Sequence, residues 1–159
     1  MKITGLNHAV LYVRDAVASA RFYCDVVGFE VVAEMPGGRA IFLKGNGSEN
    51  HHDLGLFAIG GEAGPTSAGR STVGMYHLAW EVDSIDSLAE AAERLQAAGA
   101  MVGASDHGVS KSLYAHDPDG LEFEVLWTVP REQWGDAMNQ GKIAPLDLPA
   151  ELRRWSTAA

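Results

Sequence analysis

The chain states one pattern twice. Gly5-Leu6-Asn7-His8 opens the first copy and Gly74-Met75-Tyr76-His77 the second, and the same order of elements follows each. Such self-similarity demands repeated units that bury their sheets against one another. In the first copy, Ile3 to Val13 predicts a strand, with Leu6, His8, Val10 and Tyr12 on one face and Asn7, Ala9, Leu11 and Val13 on the other. Asp15 is a candidate N-cap. The apolar stripe of Val17, Ala20, Phe22, Tyr23, Val26 and Val27 predicts a helix over Ala16 to Val27, stopped by Gly28. Strands follow over Phe29 to Met35, Arg39 to Lys44 and Asp53 to Ile59, punctuated by Pro36-Gly37-Gly38 and Gly45-Asn46-Gly47-Ser48. The second copy predicts a helix over Ile85 to Ala98, ending at Gly99, then strands over Met101 to Ser105, Ser110 to His116 and Leu121 to Thr128. The expected class is α+β: two paired β-α-β-β-β modules forming a half-open mixed β-barrel with the helices outside. Module one covers residues 1–60, a glycine-rich linker 61–72, module two 73–129 and a C-terminal tail 130–159.

A chain of 159 residues, 47% hydrophobic and 21% charged, is long enough for a substantial core. Its net charge of -9, with no basic run, excludes the electrostatic footprint of a nucleic-acid binder. No apolar run is long enough to span a bilayer, so no membrane partner is expected. The lone Cys24 and the absence of a secretory hydrophobic region point to the cytoplasm.

The last strand carries the chemistry. After the turn Asp117-Pro118-Asp119-Gly120, residues Leu121, Phe123, Val125 and Trp127 share a core face, which leaves Glu122, Glu124 and Leu126 on the other. Those carboxylates are either solvated, or Glu124 turns into a cavity and neutralises a cation. A lone histidine in an apolar strand is ordinarily a hydrogen-bonded core residue. His8 and His77, however, sit at matched repeat positions, where a pseudo-twofold arrangement brings both to a central cavity. With Glu124 they make a two-histidine, one-carboxylate set, typical of non-heme Fe(II) enzymes and leaving metal positions open.

With its paired Gly-x-x-His strand starts, its module order, and Asp-Pro-Asp-Gly followed by Glu124, the chain resembles the vicinal oxygen chelate superfamily over nearly all of residues 1–129. That superfamily includes glyoxalase I, fosfomycin-resistance enzymes, bleomycin-resistance proteins and type I extradiol dioxygenases. The resemblance implies His8, His77 and Glu124, rather than Glu122, as metal ligands. Glyoxalase I and its isomerase relatives typically add a glutamate on the last strand of the first module, whereas Leu54 to Ile59 is free of acidic residues. Bleomycin-binding relatives generally lack the metal set. Fosfomycin enzymes need basic residues for a phosphonate, and only Lys44 and Lys111 lie near the expected strands.

The extradiol branch is the closest resemblance. His51-His52-Asp53-Leu54-Gly55-Leu56 resembles its paired-histidine strand start, and Tyr114, ten residues before Glu124, its active-site tyrosine. His52 and His107 are the candidate proton-transfer residues, His52 the closer match. The resemblance thus implies an Fe(II)-dependent dioxygenase, with Mn(II) or another divalent metal as the alternative, cleaving a catechol-like aromatic with O2. Tyr114 is then expected to stabilise a substrate oxygen, and a homo-oligomer such as a dimer is the expected assembly. The competing functions are another metal-dependent member (lyase, isomerase or thiol transferase) and a non-catalytic small-molecule binding protein. In the tail, Leu146, Leu148, Leu152 and Trp155 are expected to dock on the body, over the site mouth or a subunit interface.

Overall fold

The computed structural model describes residues 1–69 and 71–157. Arg70 of the expected linker, and Ala158 and Ala159 of the expected tail, lie outside the described residues. The fold is α+β, with two mixed sheets and few helices.

One compact unit comprises Met1–Thr66 with Asp117–Gly120. Its strands β1 (Ala9–Val13), β2 (Phe29–Glu34), β3 (Ala40–Gly45) and β4 (Leu54–Ala58) lie in the order β1-β4-β3-β2, with β1 parallel to β4 and the other pairs antiparallel. Alternation sends Leu11 and Val13 into the core, whereas Val10 and Tyr12 are exposed on the other face. β1 begins six residues later than the pattern from Ile3 predicts, because its ladder partner β4 starts only at Leu54, opposite Ala9. Helix α1 (Ala16–Phe22) is capped by the Asp15 carboxylate, which accepts from the amides of Val17 and Ala18. The predicted single helix to Val27 instead finishes in a π turn, Tyr23–Val27, and ends at Gly28 with φ +91°, a conformation that favours glycine. The widened turn begins at Tyr23, fully buried and edge-on to Phe22 and Phe29.

The other unit comprises Ser67–His116 and Leu121–Ala159. Strands β5 (Leu78–Glu81), β6 (Met101–Asp106), β7 (Ser110–His116), β8 (Glu122–Thr128) and β9 (Ala144–Pro145) lie in the order β5-β8-β7-β6-β9, with β5 parallel to β8. Apart from β9, this reproduces the first sheet strand for strand. Both sheets carry a bulge in the corresponding ladder, between Val31 and Ala33 in β2 and between Met101 and Gly103 in β6. Helix α2 (Ile85–Ala97), capped by Ser84, buries Ile85, Leu88, Ala92 and Leu95, while β8 contributes Phe123, Val125 and Trp127 to the core.

The C-terminal segment belongs to this second unit. Two 3₁₀ turns, Arg131–Gln133 and Gly135–Asn139, lead to β9 and then to helix α3 (Leu148–Trp155), which packs beside α2. Trp155 lies 5.7 Å from the Trp127 ring, and Ser156 Oγ donates to Asp86 at 2.6 Å. Among the described residues no helix is long and apolar enough to cross a membrane.

Candidate active site

Residues directly opposite one another in a ladder point to the same side of the sheet. Tyr114 pairs with Glu124 and His116 with Glu122, so all four share the face of the second sheet that turns away from Phe123 and Val125. Glu124 is nevertheless only 8% exposed. Its partner is His77, one residue ahead of β5: Nε2 stands 3.1 Å from Glu124 Oε2, and Nδ1 faces Glu122 Oε1 at 3.6 Å. The Tyr114 ring lies 5.8 Å from the His77 ring. Its phenol pKa is pushed up, first by burial and then by the Glu124 charge, which keeps the hydroxyl protonated.

The His77 and Glu124 pair fits a divalent cation. Two donors about 2.1 Å from one cation, on neighbouring positions, stand roughly 3 Å apart. His77 Nδ1 and Glu122 Oε1 are both buried without a hydrogen-bond partner. A closure of about half an ångström would make them the carboxylate-to-histidine hydrogen bond that usually orients a ligating imidazole. Among the described residues no group of three His, Cys, Asp or Glu side chains is gathered in a metal-holding arrangement. His8, the third expected ligand, belongs to the first unit, where it is exposed and its Nδ1 lies 2.7 Å from Asn7 Oδ1.

In the first unit His8 lies 4.5 Å from the His52 ring, which in turn stands edge-on to Phe42 at 5.1 Å. His52 has a lowered pKa, first from burial and then from His8 and His51, which favours its neutral form. The loop that presents it is pinned by Asp53, whose carboxylate accepts from Gly45 N, Ser48 Oγ and Asn50 Nδ2. Ladder registers align the two units position by position: Gly55, between Val10 and Phe42, corresponds to Glu124, between Ala79 and Tyr114. The first unit therefore offers an aromatic and imidazole surface where the second offers a carboxylate and a phenol.

His107, the remaining candidate, joins Tyr114 in the second unit, with Nε2 2.8 Å from the tyrosine hydroxyl. Glu122 was assigned no role by sequence reasoning, although its i, i+2 spacing from Glu124 signals a shared face. The contact between His107 and Lys142 O had no sequence signal, being a backbone carbonyl from 35 residues away.

Residues 5–125 match the model of the Glyoxalase/Bleomycin resistance protein/Dioxygenase superfamily, and the chain belongs to that superfamily. It is similar to the catechol-2,3-dioxygenase of Bacillus subtilis (strain 168), with 32% identity over 82% of this chain and 44% of that one. It is also similar to biphenyl-2,3-diol 1,2-dioxygenase 3 of Rhodococcus globerulus, with 34% identity over 76% of this chain and 61% of that one. The chain thus spans about half the length of these relatives. Among solved structures it resembles a lactoylglutathione lyase from Agrobacterium tumefaciens, with a TM-score of 0.59 and 27% identity over 85% of this chain and 99% of that one.

Proposed function

We propose that the protein is an extradiol-type dioxygenase that opens the ring of a catechol-like aromatic with O2. The observation that carries this reading is the face of the second sheet on which His77 and Glu124 meet at 3.1 Å beside Tyr114. The diol-cleaving names of the two curated relatives support it. His77 and Glu124 would hold the metal, with His8 as the third ligand by its equivalence to His77 in the repeat. Fe(II) suits two imidazoles and one carboxylate, and when bound it supplies Lewis acidity and open positions for a chelating diol and dioxygen. Glu122, which faces His77 Nδ1 at 3.6 Å, would orient the ring on closing that gap. Tyr114, kept protonated by its surroundings, hydrogen-bonds a substrate oxygen, and the neutral His52 takes or returns a proton. This reading keeps the cytoplasm as the setting, a small aromatic diol and O2 as partners, and a homo-oligomer as the assembly.

The Fe(II)-loaded protein is expected to consume one O2 per catechol and to form a yellow ring-opened product. Under nitrogen it should bind the diol without cleaving it. The resemblance to a lactoylglutathione lyase supports a second reading, Lewis-acid chemistry without oxygen. Turnover of a thiol adduct or an epoxide under nitrogen, with no O2 uptake across a panel of catechols, would establish that reading instead.

A further inference from the structure

Tyr114 and the C-terminal segment meet at His107, and the chemistry of the two contacts fixes where the hydrogens are. A backbone carbonyl only accepts, so His107 Nδ1, 3.0 Å from Lys142 O, carries the ring hydrogen. Nε2 of the neutral ring is then an acceptor, and the Tyr114 hydroxyl 2.8 Å away is its donor. We propose that the C-terminal segment is a positioning element of the active site: the Lys142 carbonyl holds His107 in its Nδ1–H tautomer, and His107 turns the Tyr114 O–H toward itself. The phenol oxygen, beside the Ser112 hydroxyl, thereby turns its remaining lone pair toward a substrate hydroxyl, so Tyr114 works as an acceptor. The inference rests on the reading of Tyr114 as a site residue and gives that residue a direction.

The segment is held firmly enough to do this. β9 extends the sheet by pairing Ser105 with Pro145 and Asp106 with Ala144. Asp106, the neighbour of His107, accepts from Lys142 Nζ and Lys111 Nζ, each at 2.5 Å, and from Gly108 N at 2.7 Å. The buried Lys111 also faces Glu151 of α3 at 3.6 Å. Gly108 has φ +80°, and a Cβ there would stand 3.2 Å from the Ala137 side chain, so the turn carrying His107 and the incoming segment are pressed together. His107 is thus a positioning residue set from both sides, by its own hairpin and by residues 137–145.

The test is the tautomer itself. In the 159-residue chain labelled with ¹⁵N-histidine, at about pH 8 where a free imidazole is neutral, two-bond ¹H–¹⁵N correlations report which nitrogen bears the hydrogen. The His107 signals are assigned by their loss in His107→Asn. The expected result is the Nδ1–H form in the native chain and a mixture of both tautomers in Lys142→Ala, which loses the anchor to Asp106. A second readout is rescue. His107→Gln can still donate to Lys142 O and accept from Tyr114, so its kcat should exceed that of His107→Leu by about tenfold, the equivalent of one hydrogen bond. An Nε2–H tautomer in the native chain overturns the proposal, as does equal kcat for the Gln and Leu variants. The tautomer is read without turnover, so a native chain that consumes no O2 would refute the dioxygenase reading and leave this result standing.

Discussion

Replacing Glu124 by Gln keeps the shape of the side chain and removes its charge, so stoichiometric divalent-metal binding, followed by titration calorimetry, should be lost while the protein stays folded. Glu122→Ala removes the carboxylate that faces the other nitrogen of the His77 imidazole and, at 3.7 Å, His116 Nε2. It should retain the metal with an affinity lowered about 10- to 100-fold, as for other outer partners of ligating histidines. The opposite pattern, with Glu122 essential and Glu124 dispensable, would mean that the strand presents the wrong carboxylate. Tyr114→Phe deletes one hydroxyl and should leave metal content intact while lowering kcat about tenfold, the equivalent of one hydrogen bond. At this scale the sequence was informative for the second unit. Alternation placed Glu124 and Tyr114 on their faces, and the repeat singled out His77. It left two things unread. The burial of Glu124 depends on a histidine brought alongside by the parallel pairing of β5 with β8, a contact 47 residues distant. The partner of His107 is a main-chain oxygen, which has no residue-type signature at all.

The elements behave as their caps and cores dictate. Ser84→Ala removes the acceptor for Ser87 N at the start of α2 and should cost about 1 kcal/mol in urea unfolding. Leu88→Ala empties a fully buried position on the same helix and should cost about 2–5 kcal/mol. A larger loss from the cap than from the core would contradict the view that packing dominates α2. Most element positions could be read from periodicity because apolar spacing and glycine punctuation agree: Ser110–His116 is the predicted strand, and α2 begins at the predicted Ile85. The exceptions have identifiable causes. The run from Ile3 is apolar enough for a strand but has no partner backbone before Ala9. The helix predicted to Val27 changes pitch where Tyr23 is buried against its aromatic neighbours, a demand that no 3.6-residue pattern expresses.

For the whole molecule, acid should act partly through Asp106. Burial alone would raise its pKa, but hydrogen bonds from Lys111, Lys142 and Gly108 reverse the shift and hold it far below the usual carboxylate range. A carboxyl depressed on folding contributes stability above its unfolded pKa of about 3.9 and loses it as pH falls toward the folded value. The stability difference between the native chain and Asp106→Asn should therefore be full at neutral pH and shrink below about pH 4. A difference independent of pH in acid would show that the carboxylate is not anchoring the segment.

The correspondence of Gly55 with Glu124 bears on how such a chain can change through time. A duplicated unit starts with two identical halves, and here the halves have parted at the position that matters most for charge. A Cβ on Gly55 would already touch Val10 at 3.5 Å and the Phe42 ring at 3.6 Å, ordinary contacts that admit alanine. Anything longer must contend with that ring, which also supports His52. Placing a carboxylate there would press on the Phe42 ring and, through it, on the support of His52. A charge at this position in the first half would therefore call for a change at Phe42 as well, whereas in the second half Tyr114 stands opposite Glu124 without such a conflict.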